Sequence, residues 1–205
     1  MKNLTLVEFS NATSSKEPVP GGGSIAALCG SLSAALTEMV ANLTIGKKKF
    51  VEVEEEMKVI RDQASSLKVG LLDDIQKDSE AFTLVMNAFS LPKDTEEAKI
   101  ERTKAIQDGL IEASKTPFLI AQKAYDTMGL AAIVVEKGNK NAMTDGLVSI
   151  MVARSAVLSA LLNVKINLGS IKDESFVREM SEKVGELKNK TMKFEDEILE
   201  KFSII

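Results

Sequence analysis

Residues 17–49, "EPVPGGGSIAALCGSLSAALTEMVANLTIGKKK", can be read in two ways, and the fold follows from the choice. Gly21 to Ala26 match the string G-x-G-x-x-A of a dinucleotide-binding turn, which needs a strand before it and a βαβ unit around it. "SSKEPVP" precedes it instead, and Pro18 and Pro20 cannot serve a central strand. A phosphate-cradling Walker loop fails as well, because no lysine follows the glycines until Lys47. What does follow is helical: Ile25, Leu28, Leu32, Leu36, Met39 and Leu43 recur on one stripe. Beside that stripe run two rows of small residues four apart, Ala26, Gly30, Ala34 and Ala27, Ser31, Ala35, which let two helix axes approach closely. The glycines then become a flexible lead-in with Ser24 as helix cap, and their bare N–H groups suit an anion or a carbonyl.

Working outward, the same period runs through the rest of the chain. Strand signals are nearly missing, and no hairpin dipeptide separates alternating segments. Helices are expected over about 3–13, 24–46, 50–89, 95–114, 117–136, 142–168 and 174–203. Asp94, three residues before Glu97, has capping-box spacing, and Thr116 with Pro117 reads as the start of a new helix. Gly138 and Gly169 read as helix ends, and Asp173 as the last cap. No repeat, low-complexity tract or linker divides the chain. The expectation is an all-α, single-domain bundle of about seven helices over residues 1–205, several of them long and antiparallel.

Composition narrows the chemistry. Among 205 residues, 44% are hydrophobic and 27% charged, with 4% aromatic and no tryptophan, so the core is aliphatic. A net charge of −4 argues against a nucleic-acid partner. Val19 to Thr37 is uncharged, but its prolines, glycines and serines favour burial in protein over a membrane span. "MKNLTLVEFSNATSS" lacks the apolar core of a signal peptide, and Cys29 alone permits no internal disulfide, so a cytoplasmic location is expected. The count of histidines, zero, removes imidazole-based triads and the usual zinc ligand sets. Acid–base work would fall to Asp, Glu, Lys, Tyr or Cys.

Polar residues within apolar context mark candidate sites. Asp78 and Glu80 interrupt a packing helix, and Asp145 begins the most hydrophobic one, where it could simply cap. Asn163 and Asn167 lie four apart, hence on one face, at that helix's far end. Buried amides and carboxylates need partners, so several in one helical core suggest a lined polar pocket. Lys47 to Lys49 read as a solvated helix end, and the acidic run that follows as a solvated face.

Four blocks, "PVPGGGSIAALCGSLSAALTEMVANLTIGKKKF", "DSEAF" with "AFSLPK", "ERTKAIQDGLIEASKTP", and "GNKNAMTDG" with "NVKINL", together resemble the formiminotransferase-cyclodeaminase C-terminal family over essentially the whole chain. The resemblance implies an all-helical homodimer with a folate site near the subunit contact. It implies a tetrahydrofolate derivative as substrate, with or without a polyglutamate tail, and no prosthetic group or metal. The reaction is either cyclohydrolase (5,10-methenyl-tetrahydrofolate plus water to 10-formyl-tetrahydrofolate) or cyclodeaminase (5-formimino-tetrahydrofolate to 5,10-methenyl-tetrahydrofolate plus ammonia). The chain carries no formiminotransferase domain to make its own formimino substrate, which favours the cyclohydrolase. A non-catalytic helical scaffold is the rival from another class. On this resemblance Asp145 and Asp78 become candidates for proton transfer or for gripping the pterin. Gly21, Gly22, Gly23 and Ser24 would bring backbone against the folate. Lys47, Lys48 and Lys49 would meet its glutamate tail, and Asn42, Asn139, Asn141, Asn163 and Asn167 would supply neutral hydrogen bonds.

Overall fold

In the computed structural model, which describes residues 1–202, the chain forms six α-helices and, among the described residues, no strand. They are α1 (Leu6–Thr13), α2 (Gly22–Thr44), α3 (Glu54–Ser90), α4 (Glu96–Lys137), α5 (Met143–Leu168) and α6 (Glu174–Phe202). Short 3-10 turns over Lys48–Val53 and Lys140–Ala142 connect α2 to α3 and α4 to α5. Ser203, the last residue of the expected final helix, lies outside the described residues.

The small-residue rows do what their spacing allows. Ala26, Ala27, Gly30, Ala34 and Ala41 are fully or almost fully buried, and α2 packs on α3, α4 and α5 at once. Three hydroxyls sit in the α2–α5 contact. Ser149 Oγ donates to the Ser33 carbonyl at 2.8 Å, and it lies 2.9 Å from Ser33 Oγ and 2.8 Å from Thr37 Oγ1. On the outside, α6 is the amphipathic cover: Met180, Val184, Leu187 and Thr191 face inward at helical spacing. Arg154 of α5 reaches it, with Nε 3.1 Å from Glu195 Oε2.

Two expected helices, 95–114 and 117–136, are one helix of 42 residues, with Pro117 inside it. Proline within a helix removes one N–H and leaves the carbonyl four residues back without a donor. Here that carbonyl, Ala113 O, accepts instead from Asn167 Nδ2 of α5 at 2.7 Å, so the helix continues. Two caps and one helix start also differ from expectation. Thr95, not Asp94, caps α4 by accepting from the Ala98 N–H, and α1 begins at Leu6, behind a Thr5–Glu8 capping box. Ser24 is not a cap; Gly21 takes that position and Ser24 lies inside α2. Asp173 caps α6 as expected, accepting from Phe176 N–H at 3.0 Å.

α2, α4 and Lys140–Leu168 are long and apolar enough to cross a membrane by length and composition, yet 56%, 44% and 50% of their most apolar windows are buried within the bundle. The apolar residues left outside are ordered along stripes. Leu32, Met39 and Leu43 of α2 and Val148, Met151, Leu162 and Ile166 of α5 recur at helical spacing on exposed surface. At the opposite edge, the end of α3 and the start of α4 form a mostly exposed two-helix arm around residues 86–105.

Candidate functional site

The start of α2, the middle of α3, the middle of α4 and the end of α5 converge on one cavity of about 300 Å³. Pro18, Val19 and Gly21 to Gly23 form one wall, Asp78 and Phe82 of α3 another, Ala113 and Pro117 of α4 the floor, and Asn163, Ile166 and Asn167 of α5 the last side. The Val19–Pro20 peptide bond at this rim is cis.

Asp78 is the chemically distinctive group. Its carboxylate accepts from Ser24 Oγ at 2.9 Å, and Ser79 Oγ lies 3.4 Å from the same hydroxyl. Burial pushes the Asp78 carboxyl above the ordinary range, while hydrogen bonds from the Ser24 hydroxyl and backbone N–H pull it back. A carboxylate held this way is a candidate to take a proton from a ligand and return it. Close approach requires Gly23. A Cβ there would stand 2.5 Å from Asp78 Cγ and 2.7 Å from Oδ2, so any side chain would displace the carboxylate. Gly22 faces Asn163, whose Nδ2 would lie 3.1 Å from a Cβ at that position.

The two amides are partly committed to the scaffold. Asn163 donates to Ser159 O at 2.9 Å, and Asn167 donates to Ala113 O and to Asn163 O at 2.7 and 3.1 Å. No hydrogen bond is formed by either Oδ1 among the described residues, so both oxygens can accept from a ligand. Thus Gly21, Gly22, Gly23, Ser24, Asp78, Asn163 and Asn167 of the sequence candidates lie together at this cavity.

The other candidates do not join them. Asn42, Lys47, Lys48, Lys49, Asn139, Asn141 and Asp145 lie at the far end of α2 and the near end of α5, roughly 30 Å away at 1.5 Å per residue. Asn139 is buried and structural there: its backbone N–H donates to Thr44 Oγ1 at 2.9 Å and Nδ2 donates to Leu43 O at 3.1 Å. Asp145 lies in the first turn of α5 without capping it. Sequence reasoning missed Phe82 and Pro117 as site residues. Phe82 stands one helical turn from Asp78, which is the signal that would have found it.

A larger hollow of about 540 Å³ lies between α3, α4 and α6 around Tyr125, Asp126 and Phe194. It contains none of Gly21 to Gly23, Asn163 and Asn167, and Asp126, although pushed up by burial, forms no hydrogen bond or ion pair there among the described residues. The smaller cavity is the better site on chemistry. Among the described residues no group of three or more Cys, Asp or Glu side chains is placed to hold a metal ion.

The profile of the family described as Formiminotransferase-cyclodeaminase matches residues 5–186. A methenyltetrahydrofolate cyclohydrolase of Methylorubrum extorquens is 41% identical over 177 residues, covering 86% of this chain and 85% of that protein. A formimidoyltransferase-cyclodeaminase of Gallus gallus is 34% identical over 87% of this chain, which spans only 33% of that longer protein. The crystal structure of a formiminotetrahydrofolate cyclodeaminase from Thermotoga maritima superposes with a TM-score of 0.88 at 31% identity, over 97% of this chain and 96% of that one.

Proposed function

Because this chain belongs to the formiminotransferase-cyclodeaminase family, we propose that it is a folate one-carbon enzyme, a methenyltetrahydrofolate cyclohydrolase, with its site in the cavity around Asp78. The observation that carries the siting is the pairing of a desolvated carboxylate with a glycine wall that admits a flat ring against backbone. The cavity volume, about 300 Å³, suits a pterin ring and leaves the remainder of a folate outside.

In the hydrolysis, water attacks the carbon joining N5 and N10 of the cationic methenyl bridge, and Asp78 takes a proton from that water. The resulting tetrahedral carbon collapses with cleavage of its bond to N5. The proton held by Asp78 passes to N5 as that nitrogen leaves, and the hydroxyl proton goes to solvent, giving 10-formyl-tetrahydrofolate. The Ser24 hydroxyl orients the carboxylate, and the Asn163 and Asn167 oxygens accept from the N–H groups of the pterin. No prosthetic group is needed, since every step is a proton transfer or a C–O or C–N bond change.

The cyclodeaminase reading keeps support from the Thermotoga maritima neighbour, and its chemistry passes through the same kind of tetrahedral carbon with ammonia as leaving group. Decay of 5,10-methenyl-tetrahydrofolate absorbance tests the first reaction, and ammonia release from 5-formimino-tetrahydrofolate the second. A rate equal to buffer in both removes the enzyme reading and leaves a helical scaffold.

We also propose a homodimer, formed through the exposed apolar stripes of α2 and α5. A two-fold contact that crosses these helices antiparallel would bring the lysines and Asp145 of one copy toward the cavity of the other. A cytoplasmic site of action follows from the same reading.

A further inference from the structure

Resting on the folate reading, the cavity around Asp78 holds a pterin but not the p-aminobenzoyl-glutamate that such a substrate carries. That part must run along the surface, and one path is built for it. On α3, Phe82 and Phe89 follow Asp78 at spacings of four and eleven residues, which places all three on one stripe of the helix. Met86 stands beside them. The stripe leaves the cavity at Phe82 and continues along the arm, where Met86 and Phe89 are 48% and 47% exposed. It ends at a cation: Arg102 of α4 donates from Nε and Nη2 to the Phe89 carbonyl at 3.3 and 2.9 Å, and its guanidinium lies 5.8 Å from the centre of the Phe89 ring. Among the described residues Arg102 forms no ion pair, so its charge is fixed in place but not neutralised.

From this arrangement we infer that the outer face of the α3–α4 arm is the subsite for the p-aminobenzoyl-glutamate portion of the substrate. The aromatic ring packs on Phe82 and Met86, and Arg102 meets a glutamate carboxylate. The lengths agree. Eleven helical residues span about 16 Å, while a benzoyl ring and one glutamyl unit extend to the same order, at about 3.5 Å per chain residue plus the ring. Guanidinium to carboxylate is also the stronger, charge-assisted form of that contact, and with Nε and Nη2 turned to the Phe89 carbonyl it is the Nη1 side of Arg102 that remains to meet the carboxylate. The three lysines at the far end of α2 in the same subunit are too distant for a monoglutamate tail.

The test compares 5,10-methenyl-tetrahydrofolate as monoglutamate and triglutamate with wild type, Arg102→Gln, Phe89→Ala and Leu84→Ala. Leu84 is exposed on the opposite flank of the arm and serves as the control. Expected are a five- to tenfold rise in KM for Arg102→Gln with kcat kept, a smaller rise for Phe89→Ala, and no change for Leu84→Ala. A parallel measurement by equilibrium dialysis of 5-formyl-tetrahydrofolate should show the same losses in affinity without any turnover. Unchanged KM and affinity in Arg102→Gln, or equal effects in Leu84→Ala, overturn the subsite while leaving the folate reading intact. A wild type that binds 5-formyl-tetrahydrofolate but turns over neither substrate overturns the cyclohydrolase reading and leaves the subsite to the dialysis. If the wild type binds no folate, both fall. If sedimentation shows Arg102→Gln or Phe89→Ala dissociating an oligomer, the stripe is a contact between copies, and the subsite is again overturned.

Discussion

Replacing Gly23 by alanine should separate function from folding within a single methyl group. The added Cβ would fall 2.5 Å from Asp78 Cγ, 2.7 Å from Oδ2 and closer still to Oδ1, so the carboxylate must retreat by about 1.5 Å to reach ordinary contact. The fold tolerates this, because the displaced group is the end of a side chain and not backbone. Loss of the 2.9 Å bond from Ser24 costs about 1.5–3 kcal/mol, while alanine in place of glycine in a helix returns up to about 1 kcal/mol. The net destabilisation is about 0.5–3 kcal/mol, or a Tm lower by about 1–12 °C for a chain of this size. Catalysis is less forgiving: an error of 1 Å in the position of a reacting group costs about a hundredfold. Gly23→Ala should therefore lose about two orders of magnitude in kcat on 5,10-methenyl-tetrahydrofolate, followed by absorbance, yet remain fully folded and cooperative by circular dichroism at 25 °C. Activity within threefold of wild type would refute the placement of Asp78 at the reacting centre. A variant unfolded at 25 °C would refute the claim that the clash is local.

Asp78→Asn should lower kcat by about a hundredfold or more while leaving the protein folded, which activity and melting measurements check together. The pH dependence has two opposite signs. Because burial raises the Asp78 pKa in the folded state, this group's contribution to stability is full at low pH and is lost as pH rises through its folded value; Asp78→Asn removes that slope from a series of melting curves. The rate needs the ionised base, so kcat/KM corrected for buffer should rise with pH, with a midpoint above the ordinary aspartate range. Asn167→Leu strands the Ala113 carbonyl and should cost about 1–3 kcal/mol; adding Pro117→Ala, which restores the missing N–H, should recover part of that Tm loss, and no recovery would contradict the pairing. Leu162→Glu, at a side chain 67% exposed, should leave the subunit folded and produce monomers in sedimentation velocity if α2 and α5 form the dimer contact.

Much of this architecture was legible because helical period and small-residue rows are local signals. The burial of Ala26, Gly30 and Ala34 follows directly from four-residue spacing. Pro117 was misread because the donor that rescues its helix, Asn167, comes from 50 residues later, beyond what a local rule can see. The site divided in the same way. Asp78 and the glycines share a cavity through packing of α2 on α3, and the amides join because α5 returns antiparallel to α2. That return also carries Asp145 away from them, since it opens the helix whose other end reaches the cavity. The seven candidates at the cavity and the seven at the far end look alike in sequence; only the topology divides them.

The three hydroxyls between α2 and α5 set the alignment of this pair. A contact made of alanine and glycine is smooth, with few protruding side chains to oppose sliding of one helix along the other. Ser33, Thr37 and Ser149 make it a detent: displacement by one residue would leave buried oxygens without partners, at a cost of about 1–3 kcal/mol each. Since Gly22 and Asn163 ride on these two helices, the same detent fixes the width of the cavity some 15 to 20 Å away, at 1.5 Å per residue. Loosening it would blur the site without touching a residue that lines it.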